Sequence, residues 1–231
     1  MYDQPPVGSP QWRDLSVQLL PHESHEAYLN NIYSLLSNSL MVHPRWTVIR
    51  LDLHVPTGCF LPQRAITDFI ESLKSQLEHV RSIKAAAGKR AYDPMLRYVW
   101  VREWDTAEYP HYHLALLLNH DAYFSVGDYS KLQSDDCSYD QMLAGRIYKA
   151  WGVALGVDWA IAMKGVLFAP NPVSPLQVQH PLFEQQYQSV FYRLSYFAKK
   201  RTKVYGCSGQ PIPDSGLSFS SATAGGNPSL N

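Results

Sequence analysis

The sequence predicts an α+β fold organised around an antiparallel sheet, and three patterns support this prediction. Residues 46–55 alternate between apolar and polar side chains, as a half-buried strand does. Residues 97–104 and 111–119 are apolar stretches separated by a polar turn, which predicts a β-hairpin. Amphipathic segments before, between and after these strands predict helices. The resulting order, helix, β, α, β, β, α, β, α, contains the split βαβ arrangement of a ferredoxin-like or RRM-like sheet.

The N-terminal part is predicted as an arm followed by a helix. Residues 1–21 are rich in proline and show no periodicity, so we expect a loose arm. From 23 to 41, apolar residues recur every three to four positions, which predicts an amphipathic helix that Pro44 ends. The chain is accordingly divided into three parts: an N-terminal arm and helix over 1–44, a main domain over 45–205 and a disordered tail over 206–231.

The first strand of the main domain has one apolar face and one polar face, and we expect the polar face to be open. Side chains alternate along a strand, so the polar face carries Arg50, Asp52 and His54. A helix follows over 62–87, with a proline in its first turn and Gly88 at its end. The later elements are a loop over 120–138, a helix from Ser138 or Asp140 to about Leu155, a strand within 160–168, a loop over 169–175 and a final helix over 183–203.

Composition narrows the classes of protein. The chain has 231 residues and is 45% hydrophobic, which is enough for one large core. Its 20 basic and 20 acidic residues give no net charge, which argues against nucleic-acid binding through a broad basic surface but leaves the local basic cluster at 199–203. The chain has neither a long apolar run nor a secretory signal, so we expect no membrane span. Three widely spaced cysteines predict reduced thiols in a cytoplasmic protein.

Two histidines at the start of the third strand offer metal ligands. His111 and His113 are two apart, so their side chains point to the same face of a strand. If the hairpin pairs antiparallel about the turn at 105–110, Glu103 lies opposite His111 on that face. One oxygen and two nitrogen ligands with open positions would suit Mg²⁺, Mn²⁺ or another divalent ion. A His-x-His pair alone is more often packed or hydrogen-bonded, so the rest of the chain has to support the metal site.

The last predicted helix carries two tyrosines and a lysine on one side. Tyr192 and Tyr196 are four apart, and Lys199 follows three residues later. A phenol, with its ordinary pKa near 10, attacks a phosphate when a metal polarises the phosphoryl oxygens and a cation stabilises the phenolate. Tyrosines at this spacing are more often core residues, and the helix dipole alone favours a basic C-terminal end.

Together, and in this order along the chain, the two motifs resemble those of the HUH endonucleases. His111-Tyr112-His113 is similar to the His-hydrophobic-His motif, and Tyr196-Phe197-Ala198-Lys199 is similar to the Tyr-x-x-Lys motif. Glu103 falls where such proteins often carry a third ligand. The resemblance covers roughly residues 45–203. It is strongest to rolling-circle replication initiators of inovirus-like filamentous phages and related prophages.

This resemblance implies a site-specific DNA endonuclease and ligase that starts rolling-circle replication in the cytoplasm of a bacterial host. The Glu-His-His cluster would hold Mg²⁺ or Mn²⁺, with the nucleophile helix beside it. Tyr196 would attack single-stranded or origin DNA to form a 5′-phosphotyrosine link, with Lys199 stabilising charge and Tyr192 available for a second attack. Because no phosphate-binding loop motif is present, the helicase, like the polymerase, would come from the host. Lys200, Arg201 and Lys203 would hold the DNA backbone, and the open face of the first strand would contact the DNA strand through Arg50 and His54.

One departure from the family pattern and three alternative interpretations remain. Ser195 stands three residues after Tyr192, where two-tyrosine members tend to carry a lysine, and this favours Tyr196 as the main nucleophile. A relaxase or a single-strand transposase would use the same chemistry on different DNA. A prophage nucleic-acid-binding protein would keep the sheet with an idle metal site, in line with the neutral net charge. A plain fold with packed histidines and tyrosines would bind no metal.

Overall fold

The computed structural model describes residues 4–104, 108–133, 138–200 and 218–219. Its strands and longer helices, in chain order, are β1 (Gln11–Trp12), β2 (Leu15–Ser16), α1 (Glu26–Val42), β3 (Arg45–Leu53), α2 (Ala65–Ala86), β4 (Arg97–Glu103), β5 (His111–Asn119), α3 (Leu143–Leu155), α4 (Trp159–Ala162), β6 (Val166–Gln177), α5 (Phe183–Ser195) and β7 (Ser218–Phe219). A 3₁₀ turn, Tyr196–Ala198, follows α5 directly. Within these described ranges, no helix is both long enough and apolar enough to cross a membrane.

The main sheet has five strands in the order β6-β3-β5-β4-β7, and each neighbouring pair is antiparallel. This confirms the predicted α+β class with an antiparallel sheet. The predicted hairpin is β4–β5, and its register pairs Glu103 with His111. At the far edge, Ser218–Phe219 pairs with β4, so two residues of the predicted disordered tail form a strand there. The other tail residues lie outside the described part of the chain.

One face of the sheet packs against α2 and α3, as the alternation of apolar residues predicts. Leu51 of β3 and Leu114 of β5 are neighbours across the strands and are fully buried. They share a core with Phe69 of α2 and Trp151 of α3, which are also fully buried. Burying one such side chain contributes about 1.5–3 kcal/mol. A one-residue slip of β3 would turn this apolar set away from the helices, so the core fixes the register of the two strands.

The opposite, polar face is not open as predicted, because α1, α5 and the N-terminal arm cover much of it. Val99 and Val101 of β4 are fully buried there, in a core with Leu36 of α1 and Phe191 of α5. These valines share a strand face with Glu103, since side chains of alternate residues point the same way. The face is therefore apolar under the helices and polar where β4 ends at Glu103.

The N-terminal arm is packed rather than loose. Val17 is 2% exposed and belongs to the same core as α1 and α5. Trp12 stacks on Phe191, with ring centroids 5.6 Å apart and ring planes 8° apart. The backbone N–H of Gln18 donates to the Ser195 hydroxyl at 2.9 Å. The boundary predicted at residue 44 therefore does not separate two packing units.

Three elements in the C-terminal half differ from their predicted bounds or type. The final helix ends at Ser195 rather than at 203, because the backbone beyond it hydrogen-bonds to residues 23–25 instead. Strand β6 runs through the predicted loop at 169–175, and it tolerates prolines because it lies at the edge of the sheet. Helix α4 occupies part of the segment predicted as a strand within 160–168.

Candidate metal centre and tyrosine segment

Strands β4 and β5 bring three candidate metal ligands together. Glu103 pairs with His111 across the hairpin, and His113 lies two residues further along β5. The Nε2 atoms of the two histidines are 3.2 Å apart, and His113 Nε2 also lies 3.2 Å from Glu103 Oε2. One ligand atom from each residue lies within 4.8 Å of the other two. Neighbouring ligands of a divalent ion bound at about 2.1 Å are about 3 Å apart, so this cluster fits a single ion with oxygen and nitrogen ligands.

A fourth side chain, Asp52 of β3, orients His113 from the other side. Asp52 is the register partner of His113, and its Oδ1 lies 2.7 Å from His113 Nδ1. Burial lowers the pKa of His113, but hydrogen bonds to Asp52 and Glu103 raise it more, to about 9. Burial raises the pKa of Asp52, but the hydrogen bond and positive charge of His113 lower it overall. Without metal, His113 is therefore an imidazolium between two carboxylates at neutral pH.

His54, two residues beyond Asp52, stacks on His111. Their ring centroids are 4.8 Å apart and the ring planes are 6° apart. Burial, followed by the positive charge of His113, lowers the pKa of His111, and burial also lowers the pKa of His54. Both rings are therefore neutral at pH 7, which is the form that binds a metal.

Tyr196 lies beside this cluster and forms the predicted pair with Lys199. The ring of Tyr196 packs edge-on against His113, with centroids 5.6 Å apart. The ammonium of Lys199 donates to the Tyr196 hydroxyl at 3.2 Å. The guanidinium of Arg50 lies over the same ring, 5.4 Å from its centroid. The hydroxyl of Tyr196 is therefore next to the ammonium of Lys199, and the ring of Tyr196 contacts His113, a candidate metal ligand.

Tyr192 precedes Tyr196 by one helical turn and lines a groove next to the site. This groove has a volume of about 400 Å³, and Arg50 and Asp52 also line it. Ser195, which stands where two-tyrosine HUH endonucleases tend to carry a lysine, is 1% exposed. Its hydroxyl accepts from the Gln18 backbone N–H and donates to the Tyr192 carbonyl at 2.7 Å. This buried position has no room for a long charged side chain. The packing of α5 therefore explains why the lysine of the HUH motif is absent here.

The predicted DNA-binding residues fall in three different settings. Lys200 is exposed, and its ammonium donates to a backbone carbonyl of the N-terminal arm at 3.2 Å. Arg201 and Lys203 lie outside the described residues. Arg50 is a residue of β3 whose side chain lies against α5 rather than on an open face, and it donates to a backbone carbonyl of α5 at 3.2 Å. Its burial lowers the pKa of its guanidinium, and its contact with the Tyr196 ring points to a role in packing that segment.

Sequence reasoning assigned no role to Asp52 or Gln18, and it gave His54 a contact with the DNA strand rather than a place beside the metal ligands. The alternation of β3 placed Asp52 and His54 on its polar face, which was a usable signal. Their partners follow from the register between β3 and β5, which the order of residues does not specify. Gln18 lies in a proline-rich arm without periodicity, so nothing in the sequence linked it to the tyrosine helix.

The described residues thus form an α+β protein with a Glu-His-His cluster beside a tyrosine–lysine pair. The chain belongs to the YagK/YfjJ C-terminal domain family, whose model matches residues 10–209. It is 33% identical to the uncharacterized protein YfjJ of Escherichia coli (strain K12), over 78% of this chain and 88% of that protein. It is 32% identical to the uncharacterized protein YagK of the same strain, over 79% of this chain and 87% of that protein. No solved structure matches the chain.

Proposed function

We propose that this protein is a metal-dependent endonuclease of the HUH type that nicks and rejoins one DNA strand to start rolling-circle replication of a phage or prophage element. The observation that carries this proposal is the contact between Tyr196 and His113, with Lys199 bonded to the tyrosine hydroxyl. Together they place a phenol, a cation and a candidate metal ligand in one cluster. The strand order β6-β3-β5-β4, with α2 and α3 on one face, is compatible with a split βαβ arrangement and in this way supports the proposal.

Glu103, His111 and His113 would hold Mg²⁺ or Mn²⁺, which when bound supplies Lewis-acid polarisation of a scissile phosphate. The Tyr196 oxygen attacks the phosphorus, the bond to the 3′ oxygen breaks, and the chain becomes linked to the 5′ end. The phenol proton passes to solvent, and the released 3′ oxygen takes up a proton to become a hydroxyl. The ammonium of Lys199 stabilises the negative charge on the phenol oxygen.

The reverse reaction rejoins the strand. A 3′ hydroxyl attacks the phosphotyrosine, its oxygen forms the new phosphodiester, and the Tyr196 oxygen leaves and is reprotonated. Because the energy of the phosphodiester is kept in the tyrosyl link, rejoining needs no nucleoside triphosphate. The free 3′ hydroxyl in the interim would prime the host polymerase, and a host helicase would open the duplex in the bacterial cytoplasm. Lys200, with Arg201 and Lys203, would contact the DNA backbone.

Capture of the covalent link tests this function. The protein is incubated with Mn²⁺ and single-stranded oligonucleotides that tile both strands of the DNA around its gene. We expect an adduct that survives denaturing electrophoresis, disappears with chelator and maps to Tyr196. Tyr196→Phe should abolish the adduct, while Tyr92→Phe, at a half-buried tyrosine outside the site, should not. An adduct that persists in Tyr196→Phe would show that another residue attacks, and DNA binding without any adduct would favour a non-catalytic role.

A further inference from the structure

We infer that His54 is a positioning residue that holds the imidazole of His111 in the orientation needed to bind a metal ion. This inference rests on the proposed metal site and extends it to a residue outside the ligand set. His54 and His111 lie nearly parallel, with planes 6° apart and ring centroids 4.8 Å apart. A ring stacked in this way restricts rotation of its neighbour about the bond between Cβ and the ring, because tilting either ring brings the two into collision.

The backbone of His54 is fixed on both sides, which makes its side chain a rigid support. Its N–H donates to the carbonyl of Gly165 at 2.7 Å. Its carbonyl accepts from the indole N–H of Trp151, a fully buried side chain of α3, at 2.8 Å. Gly165 is itself buried, and any side chain there would collide with the His54 carbonyl oxygen. The backbone of His54, which directly follows β3, is therefore held by the segment just before β6 on one side and by α3 on the other.

The geometry separates this role from direct metal binding. The ligand atoms of Glu103, His111 and His113 lie within 4.8 Å of one another, and among the described residues His54 is not a member of that cluster. A ring stacked face to face also directs its nitrogens alongside those of its neighbour rather than towards the same point. His54 therefore contacts the site through a ring face and not through a ligand atom.

The end of β3 and the residue that follows it would then support both histidines of β5 by different means. Asp52 holds His113 through a hydrogen bond of 2.7 Å, and His54 holds His111 through ring stacking. The two supports are two residues apart in the chain, and so are the two histidines that they hold on β5. Loss of a hydrogen-bonding partner such as Asp52 typically costs a factor of about 10–100 in metal affinity, and we expect loss of the stacked ring to lie at the low end of that range.

Manganese binding to the full chain tests the inference without any DNA. The dissociation constant for Mn²⁺ is measured by titration calorimetry for the unaltered protein, His54→Ala and His54→Phe. We expect His54→Ala to bind Mn²⁺ about tenfold more weakly. His54→Phe keeps a flat ring and should bind within about threefold of the unaltered protein. His79→Ala, an exposed histidine of α2, is the matched control and should leave the affinity unchanged.

Each outcome has a distinct meaning. Equal affinity in His54→Ala and the unaltered protein would overturn the inference. Equal losses in His54→Phe and His54→Ala would also overturn it, since a ring nitrogen would then be required. The thermal unfolding midpoint of each metal-free variant shows whether its fold is kept. If His111→Ala abolishes binding while His54→Ala does not, the inference fails and the metal site stands. If the unaltered protein binds no Mn²⁺, the metal site fails as well.

Discussion

Asp52 Oδ1 accepts a hydrogen bond from His113 Nδ1 at 2.7 Å, across the register pair that joins β3 to β5. In the neutral, metal-binding form of His113, this bond keeps the proton on Nδ1 and leaves Nε2 directed towards Glu103 and His111. Carboxylates that bond to the outer nitrogen of a ligating histidine orient the ring and raise its basicity. Asp52 is therefore part of the candidate metal centre although it offers no ligand in that cluster.

Replacement of Asp52 tests this role. In Asp52→Ala the ring of His113 loses its anchor, and we expect the affinity for Mn²⁺ to fall by about 10–100-fold. Titration calorimetry measures the change. Asp68→Ala is the matched control, because Asp68 pairs with Arg64 on the surface of α2, away from the centre. Unchanged affinity in Asp52→Ala would show that the hydrogen bond does not position a ligand.

The raised pKa of His113 makes metal binding dependent on pH. The metal-free protein holds His113 protonated below a pKa of about 9, whereas coordination through Nε2 requires that this proton leave. Protons therefore compete with the metal, and the affinity should increase about tenfold per pH unit from neutral pH up to the pKa of His113, then level off. His111, whose pKa is lowered, is already neutral and releases no proton.

Calorimetry in two buffers of different ionisation enthalpy measures that proton directly. Near neutral pH we expect about one proton released per Mn²⁺ bound. In Asp52→Asn the charge that raises the pKa of His113 is removed, so fewer protons should be released. Identical binding enthalpies in both buffers would show that no proton is displaced and that His113 does not coordinate in its neutral form.

The hairpin that carries the site follows from local sequence, and the surroundings of the site do not. Glu103 and His111 are joined by a short turn, so one antiparallel pairing places them opposite each other. The period of two then places His113 on the same face. In contrast, Val99 and Val101 are buried because α1 and α5 lie over them, and both helices are distant from β4 in the chain. Alternation within one strand cannot indicate what covers its polar face.

The end of the tyrosine helix shows the same limit. The tyrosine and lysine spacing predicts a continuous helix to residue 203, and helix propensity alone would allow it. The chain leaves the helix after Ser195 because residues 23–25 offer backbone partners to the segment that follows. Those residues lie at the start of the segment predicted as the first helix, just after the proline-rich arm. No local sequence pattern predicts a contact between two segments that are more than 170 residues apart.

Removal of the Lys199 ammonium should slow the chemical step. Lys199 donates to the Tyr196 hydroxyl at 3.2 Å, and loss of one donor to a developing negative charge typically lowers the rate by about 10²–10³-fold. We expect this loss in Lys199→Ala, measured as the rate of adduct formation at saturating DNA. Lys200→Ala is the adjacent control and should weaken DNA binding without changing the saturated rate. A saturated rate that is equally low in both variants would argue against a specific role for Lys199.

Tyr192→Phe should leave the first cleavage intact. The ring of Tyr192 lines the groove beside the centre, but the position of a partner lysine is taken by the buried Ser195. Tyr192→Phe retains the ring and removes the hydroxyl, so we expect the rate of adduct formation to stay within about threefold, well short of the loss expected for a residue in the chemical step. Rejoining is measured separately with a strand that carries a free 3′ hydroxyl. A strong loss of adduct in Tyr192→Phe would place the first attack on Tyr192.

The hydrogen bond that joins Gln18 of the N-terminal arm to Ser195 at the end of α5 should contribute to stability. In Ser195→Ala the Gln18 backbone N–H and the Tyr192 carbonyl both lose a partner at a position that is 1% exposed. Loss of buried hydrogen bonds of this kind costs about 1–3 kcal/mol in the free energy of unfolding. Urea unfolding measures the change. Ser82→Ala, at an exposed position of α2, is the control and should stay within about 0.5 kcal/mol.

A second variant, Ser195→Lys, introduces the lysine that two-tyrosine HUH endonucleases tend to have at this position. The ammonium would have to be buried between the arm and α5, or it would displace the arm from α5. Burial of an unpaired charge is far more costly than loss of one hydrogen bond. We expect Ser195→Lys to unfold at lower urea than Ser195→Ala. If Ser195→Lys were as stable as the unaltered chain, this position would accept the family lysine, and Tyr192 would again be a candidate for the second attack.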